Sequence, residues 1–181
     1  KGNTPEQFQA IFDQLVQDGA KALVFDLRDD GGGLVDALEQ ILDPLLPEGD
    51  IAIATYRDGT TKTLVKSDAE ECNLPMTVIV NGNTASAAEL FTASLHDFGK
   101  ASIVGTQTFG KGIMQVTQTM PGGGALTLTV ATYQTTKGEC YHKVGITPDE
   151  IVEPGEDAID YDNPDPEKDP QLKKAIEMVT Q

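Results

Sequence analysis

At 181 residues the chain is long enough for one well-buried domain and short for two. Its 39% hydrophobic content is ordinary for a globular fold, and no run approaches the roughly eighteen apolar residues of a membrane-spanning helix. The 29 acidic and 13 basic side chains give a formal charge of −16, which argues against nucleic acid and anionic lipid, since both need a basic surface.

In chain order, Thr4 as cap, Pro5 at the first helical position and Gln7 in a capping-box pattern predict a helix. Phe8, Ile11, Phe12 and Leu15 form its inward face, and Gly19 stops it. Ala22–Leu27 is a buried strand, broken by Asp29-Asp30-Gly31-Gly32-Gly33. A second helix follows with Leu34, Leu38, Ile41 and Leu42 inward, ended by Pro44 and Pro47. Ile51–Tyr56 and Thr60–Val65 flank Asp58-Gly59 as a hairpin. Met76–Val80 is a strand of a parallel sheet covered on both faces. Asn81–Ala85 is a turn, Ser86–Asp97 a helix and Ala101–Gly105 a short strand. Ile113–Thr119 and Ala125–Ala131 form a second hairpin, and the alternation of Leu126, Leu128 and Val130 with threonines predicts one buried face. From Thr147 onward 11 acids face 3 bases, half of the net charge, in a Pro-rich segment expected to wander over the surface before a short helix at Leu172–Val179. Strands alternating with helices, then hairpins, predict one mixed α/β domain.

Ser86 follows a buried strand and a tight turn and opens a helix. Its hydroxyl is then at a helix N-terminus, where free N–H groups favour a developing anion. The plainer reading is an N-cap serine. A serine nucleophile needs a base. His96 lies about 15 Å along the same helix, out of reach, and His142 falls in a polar loop, so both histidines are expected at the surface. Lys111, in Phe109-Gly110-Lys111-Gly112, is the better candidate. It must be neutral to serve, a drop of roughly three units from about 10.4, and burial away from carboxylates lowers a lysine in that way. No Asp or Glu occurs from Phe98 to Gly138. The alternatives are a turn lysine or one gripping an anion. Gln115, further along the strand, could orient the Lys111 amine or merely face solvent. Four residues of strand span about 13 Å, so that contact requires a bend or two reaching side chains. An oxyanion hole could take the Ala87 N–H and one from Gly32 or Gly33. A phosphate loop at these glycines is disfavoured by Asp29 and Asp30 and by the lack of a Gly-x-x-x-x-Gly-Lys-Ser/Thr pattern.

Asp160, Asp162 and Asp165 invite a calcium reading, but Pro164 and Pro166 intervene and no EF-hand register exists, so no metal or cofactor is called for. Cys72 and Cys140 match no metal spacing; they are a disulfide or two thiols. No signal peptide is visible, and a start at Lys1 is expected of a fragment or processed product.

Taken together, these motifs resemble those of the carboxyl-terminal processing (tail-specific) peptidases. Leu23–Leu34 is similar to that family's hydrophobic strand, Asp-Leu-Arg and Gly-Gly-Leu, with Asp30-Gly31 where the family often has Asn-Pro. Val80–Glu89 resembles the nucleophile motif, Gly105–Gln115 the lysine motif, and Gly145-Ile-Thr-Pro-Asp149 the closing element. The resemblance implies a mixed-sheet, crotonase-like α/β core with helices packed on the sheet and added hairpins. It implies a Ser86–Lys111 dyad assisted by Gln115, and cleavage of proteins or peptides near their C-termini. It implies residues 1–154 as a peptidase core shortened at its N-terminus and lacking the PDZ domain usual in the family, then an acidic segment at 155–181. An extracytoplasmic location, permissive for a Cys72–Cys140 disulfide, is also implied. A silent peptide-binding scaffold and an esterase are the rival readings. Arg28 and Asp26 are expected to form a structural ion pair beneath the glycine turn, and Glu89 to sit in the first helical turn for its dipole.

Overall fold

In the computed structural model, which describes residues 3–68, 70–155 and 159–180, three of the chain's most apolar strands lie side by side. β1 (Leu23–Asp26), β4 (Met76–Val80) and β5 (Ala101–Gly105) pair in parallel, with the short β8 (Glu150–Ile151) at the edge. Every residue of β4 is buried, as a strand with helices on both faces requires. Alternation divides the strands between two cores. Leu23, Val78, Val80 and Ile103 face the large one, with Leu38, Leu42, Leu90 and Leu95; Ile79 and Val104 face a smaller one, with Ala175, Leu172 and Met178. Each such side chain contributes roughly 1.5–3 kcal/mol by leaving water.

A second, antiparallel sheet has the order β3 (Thr61–Ser67), β2 (Gly49–Tyr56), β7 (Gly124–Thr135), β6 (Ile113–Met120). The mixed α/β architecture inferred from the sequence is therefore present, as a parallel and an antiparallel sheet with helices packed against them. Helix α1 (Thr4–Gln17) is capped by Asn3 without a side-chain bond, so Thr4 is already helical and the expected capping box does not form. Gly19 does end it, with φ +80 and a bond from the Ala20 amide to the Leu15 carbonyl. Phe8 and Phe12 stack on each other and reach Phe25, while Ile11 and Leu15 stay exposed because only the Phe8–Phe12 edge meets the sheet. In α2 (Val35–Leu42), Leu38 and Leu42 are inward as expected. Leu34 is not: it occupies the N-cap, outside the helical repeat, and is 69% exposed.

The second hairpin departs most from expectation. Leu126 and Leu128 are 46% and 52% exposed, because the outer part of β6–β7 projects past the last element that could cover it. The C-terminal segment departs in the other direction. Asp160 and Asp162 are exposed, but Asp169 and Gln171 at the start of α4 (Pro170–Val179) are buried. Arg28 draws them in: its guanidinium meets Asp26, Asp169 at 2.7 Å and the Gln171 side-chain oxygen at 3.0 Å. The ion pair expected beneath the glycine turn thus gains a second carboxylate from the tail. Those carboxylates hold the guanidinium pKa above its ordinary value despite the opposing effect of burial.

Candidate active site

The three loops that carry the motifs leave the C-terminal ends of β1, β4 and β5, which are neighbours in the parallel sheet. That is where open α/β sheets place their ligands. The loop after β1 holds Gly32, the turn after β4 holds Ser86, and the loop after β5 holds Lys111.

Ser86 sits at the N-cap of α3 (Ala87–Asp97) with φ 60 and ψ −120, a region that non-glycine residues avoid. Ser86 is the N-cap residue, as the plainer reading expected, and forms a capping box with Glu89, whose carboxylate accepts from the Ser86 amide at 2.9 Å. The turn is held by its surroundings. The Thr84 hydroxyl donates to the Leu27 carbonyl at 2.7 Å, and the Ala85 amide to the Asp30 carbonyl at 2.9 Å. Asp29, itself at φ 61, accepts from the Asn83 side-chain amide at 2.7 Å, the Tyr161 hydroxyl at 2.7 Å and the Asn81 amide at 3.0 Å, which lower its pKa.

Glycine 32 is dictated by this packing. At φ +83, a β-carbon there would lie 2.6 Å from both the Ala85 carbonyl oxygen and the Ala87 nitrogen. Its own N–H donates to the Asp30 carboxylate at 2.8 Å, whereas Gly33 has nothing within 4 Å of an added β-carbon. The two glycines therefore differ: Gly32 permits contact with the serine turn, and Gly33 lies open beside it.

Glu89 joins the serine and lysine motifs, a role its place in the sequence did not disclose. Its carboxylate is fully buried. One oxygen accepts from the Thr108 hydroxyl at 2.6 Å and the Gly110 amide at 2.7 Å; the other accepts from the Ser86 amide at 2.9 Å and the Lys111 amide at 2.8 Å. Glu89 does sit in the first turn of α3, where the helix dipole favours it, and its carboxylate has this joining role in addition. Its position three residues after Ser86, in an Ala-rich and otherwise uncharged turn, was the available signal. The closing element packs on the same loop: the Ile146 amide donates to the Thr108 hydroxyl at 2.7 Å, and the Thr108 amide to the Ile146 carbonyl at 3.2 Å.

Lys111 is held through its backbone, and its amine enters no ion pair among the described residues. Tyr133 on β7, also missed in the sequence, donates its hydroxyl to the Lys111 carbonyl at 2.7 Å and lies 3.4 Å from the Ser86 Oγ. Gln115 is exposed and its side chain forms no hydrogen bond among the described residues; the β6–β7 register slips between Met114 and Gln115. His96 pairs with Asp149 at 3.1 Å at the far end of α3, consistent with its exclusion as base. His142 is not a free surface residue: its backbone lies against Gly112, and its Nδ1 is buried with no partner among the described residues. Cys72 and Cys140 are both unpaired, Cys140 with its thiol over the Gly112 carbonyl at 3.8 Å.

A strained serine at a helix start, an open glycine loop beside it and a lysine loop bonded to the same carboxylate make a candidate site of the serine hydrolase type on a mixed α/β fold. The comparisons make this specific: the model of peptidase family S41 matches residues 1–152, and the chain belongs to that family. It is 35% identical over 167 residues to a carboxyl-terminal-processing protease of Synechocystis sp., a match covering 92% of this chain and 39% of that protein. It is 36% identical over 179 residues to one of Picosynechococcus sp., covering 99% and 43%. The chain thus spans about two fifths of the length of these relatives. Among solved structures, a photosystem II D1 C-terminal processing protease superposes with TM-score 0.78 at 33% identity, over 84% of this chain and 40% of that one.

Proposed function

We propose that this chain forms the catalytic core of a serine endopeptidase that cuts protein substrates near their C-termini, with Ser86 as nucleophile and Lys111 as general base. The observation that carries this reading is the Glu89 carboxylate, which bonds the Ser86 and Lys111 amides together behind a strained serine. Lys111 accepts the Ser86 proton as Oγ bonds to the scissile carbonyl carbon. The N–H groups of Ala87 and Gly33 hold the oxyanion. Gly32, named with them from the sequence, serves by close approach, since its N–H is engaged by Asp30. As the C–N bond breaks, Lys111 returns the proton to the leaving amine. A water then gives its proton to Lys111 and attacks the acyl ester, and Ser86 leaves and regains that proton. Gln115 orients the Lys111 amine once substrate draws β6 inward.

The reading includes protein or peptide substrates, no nucleic acid and no cofactor. It treats residues 1–154 as the peptidase core and 155–181 as an added acidic segment. An extracytoplasmic location is part of it. The exposed Gln115 favours one second reading, a catalytically silent peptide-binding scaffold.

The deciding experiment is cleavage of an unstructured protein such as casein by the wild type, Ser86→Ala and Lys111→Ala, with fluorophosphonate labelling mapped by mass spectrometry. Cleavage and Ser86 labelling in the wild type alone support the peptidase. Retained cleavage in either variant overturns the dyad, and absence of label on Ser86 selects the scaffold.

A further inference from the structure

We propose that Tyr133 is a positioning residue of the site, holding the Ser86 hydroxyl and the Lys111 backbone at a fixed separation through one phenol oxygen. The inference rests on the reading of Ser86 as nucleophile and adds a residue to it.

Tyr133 grips the lysine turn twice. Its amide donates to the Gly112 carbonyl at 3.0 Å, and its hydroxyl donates to the Lys111 carbonyl at 2.7 Å. The same oxygen lies 3.4 Å from the Ser86 Oγ. A phenol has one proton, and a carbonyl has none to give. The Tyr133 proton therefore points at Lys111, and the contact with Ser86 is left for the serine to fill by donating its own. At 3.4 Å that second bond is long, as bonds among catalytic groups often are before substrate binds. Its effect is to select the Ser86 side-chain rotamer on the side of the lysine loop.

The ring has little freedom. Tyr133 is 4% exposed, sits in the large core, pairs through its backbone with Ala54 of β2, and meets Tyr141 edge-on at 6.1 Å. Burial raises the phenol pKa above its ordinary value, so the group stays protonated and donates to Lys111 instead of competing with it as a base. The adjacent Tyr141 is a comparison of the same burial: its hydroxyl lies toward the Tyr133 phenol but makes no hydrogen bond to Ser86 or to the lysine loop among the described residues.

The test is Tyr133→Phe beside Tyr141→Phe on the intact protein, reading kcat, KM, the rate of fluorophosphonate attachment to Ser86, and the folded fraction by circular dichroism. Phenylalanine keeps the ring and removes only the oxygen. We expect kcat and labelling rate to fall about tenfold in Tyr133→Phe, the size of one lost hydrogen bond, with KM within about twofold and Tyr141→Phe unchanged. Wild-type labelling at Ser86 with an equal rate in Tyr133→Phe overturns the inference and leaves the nucleophile standing. So does a loss that only follows the folded fraction. Loss as complete as in Ser86→Ala also overturns it, because Tyr133 would then be the base. Wild-type protein unlabelled at Ser86 overturns the nucleophile reading, and this inference with it.

Discussion

The first turn of α3 and the outer half of the β6–β7 hairpin are both short of charge, and both lie within a few residues of a proposed catalytic group, yet they are built in opposite ways. In the first, Glu89 is fully buried and collects four donors from two segments, the serine turn and the lysine loop. In the second, Val116, Met120, Leu126 and Leu128 stand in the open, and no charged residue occurs between Lys111 and Lys137. The proposed nucleophile is held by its surroundings, whereas the strand that carries Gln115 is covered by little beyond its partner β7. On the proposed mechanism, preorganisation is concentrated where the new bond would form, which is where it lowers a barrier most.

Breaking the clasp should have the largest effect. Glu89→Gln replaces one acceptor oxygen with an NH2 that faces two N–H or O–H donors, leaving buried groups unpaired. We expect a stability loss of about 3 kcal/mol and peptidase activity down by more than about a hundredfold. Urea midpoints and initial rates measure the two, and a variant that keeps more than a tenth of the activity would refute the clasp.

Gly32→Ala should cost activity more than stability. An added β-carbon 2.6 Å from the Ala85 oxygen and the Ala87 nitrogen pushes the glycine loop off the serine turn. Strain at positive φ adds about 1 kcal/mol. Gly33→Ala, with open space around it, should keep stability within about 0.5 kcal/mol and keep its N–H. Equal rates for the two variants would remove the distinction between them.

This contrast also marks what was legible in the sequence. Strand–turn–helix order at Ser86 and the Gly-Lys-Gly loop were readable because backbone geometry dictates residue type there: Gly110, at φ +88 with the Gly145 nitrogen 2.9 Å from where a β-carbon would lie, admits only glycine. Glu89, Thr108 and Tyr133 were not, since their roles depend on segments far apart in sequence meeting at β-strand ends. Periodicity misled at Leu126 and Leu128, where alternation reports a strand but not whether anything lies over it. It misled again in the acidic tail, where composition suggested solvent and Arg28 drew Asp169 and Gln171 inside.

The far end of α3 is held by a titratable pair, so its hold should depend on pH. Asp97 beside His96 and Asp149 across from it raise the imidazole to about 9. An unfolded histidine titrates near pH 6.5. The charged ring therefore stabilises the fold fully below about pH 6.5, and the contribution disappears as pH rises through about 9. With the ring 41% exposed, solvent screening reduces it to about 1 kcal/mol. His96→Gln should lose that amount at pH 6 and nothing at pH 10, measured by urea midpoints at both. A parallel shift at the two values would assign His96 a packing role.

The smallest expected effect is at the hairpin. Leu126→Thr with Leu128→Thr removes apolar area that is already half in water, and threonine suits a strand. Stability should change by less than about 0.5 kcal/mol. If substrate draws β6 inward, KM should nonetheless rise, because the exposed apolar face is then covered by what binds. Stability and KM both unchanged would confine the working site to the pinned region between Gly32, Ser86 and Lys111, with the hairpin a bystander. A stability loss above about 2 kcal/mol would mean that the outer hairpin is packed in solution and that the two regions are not built differently after all.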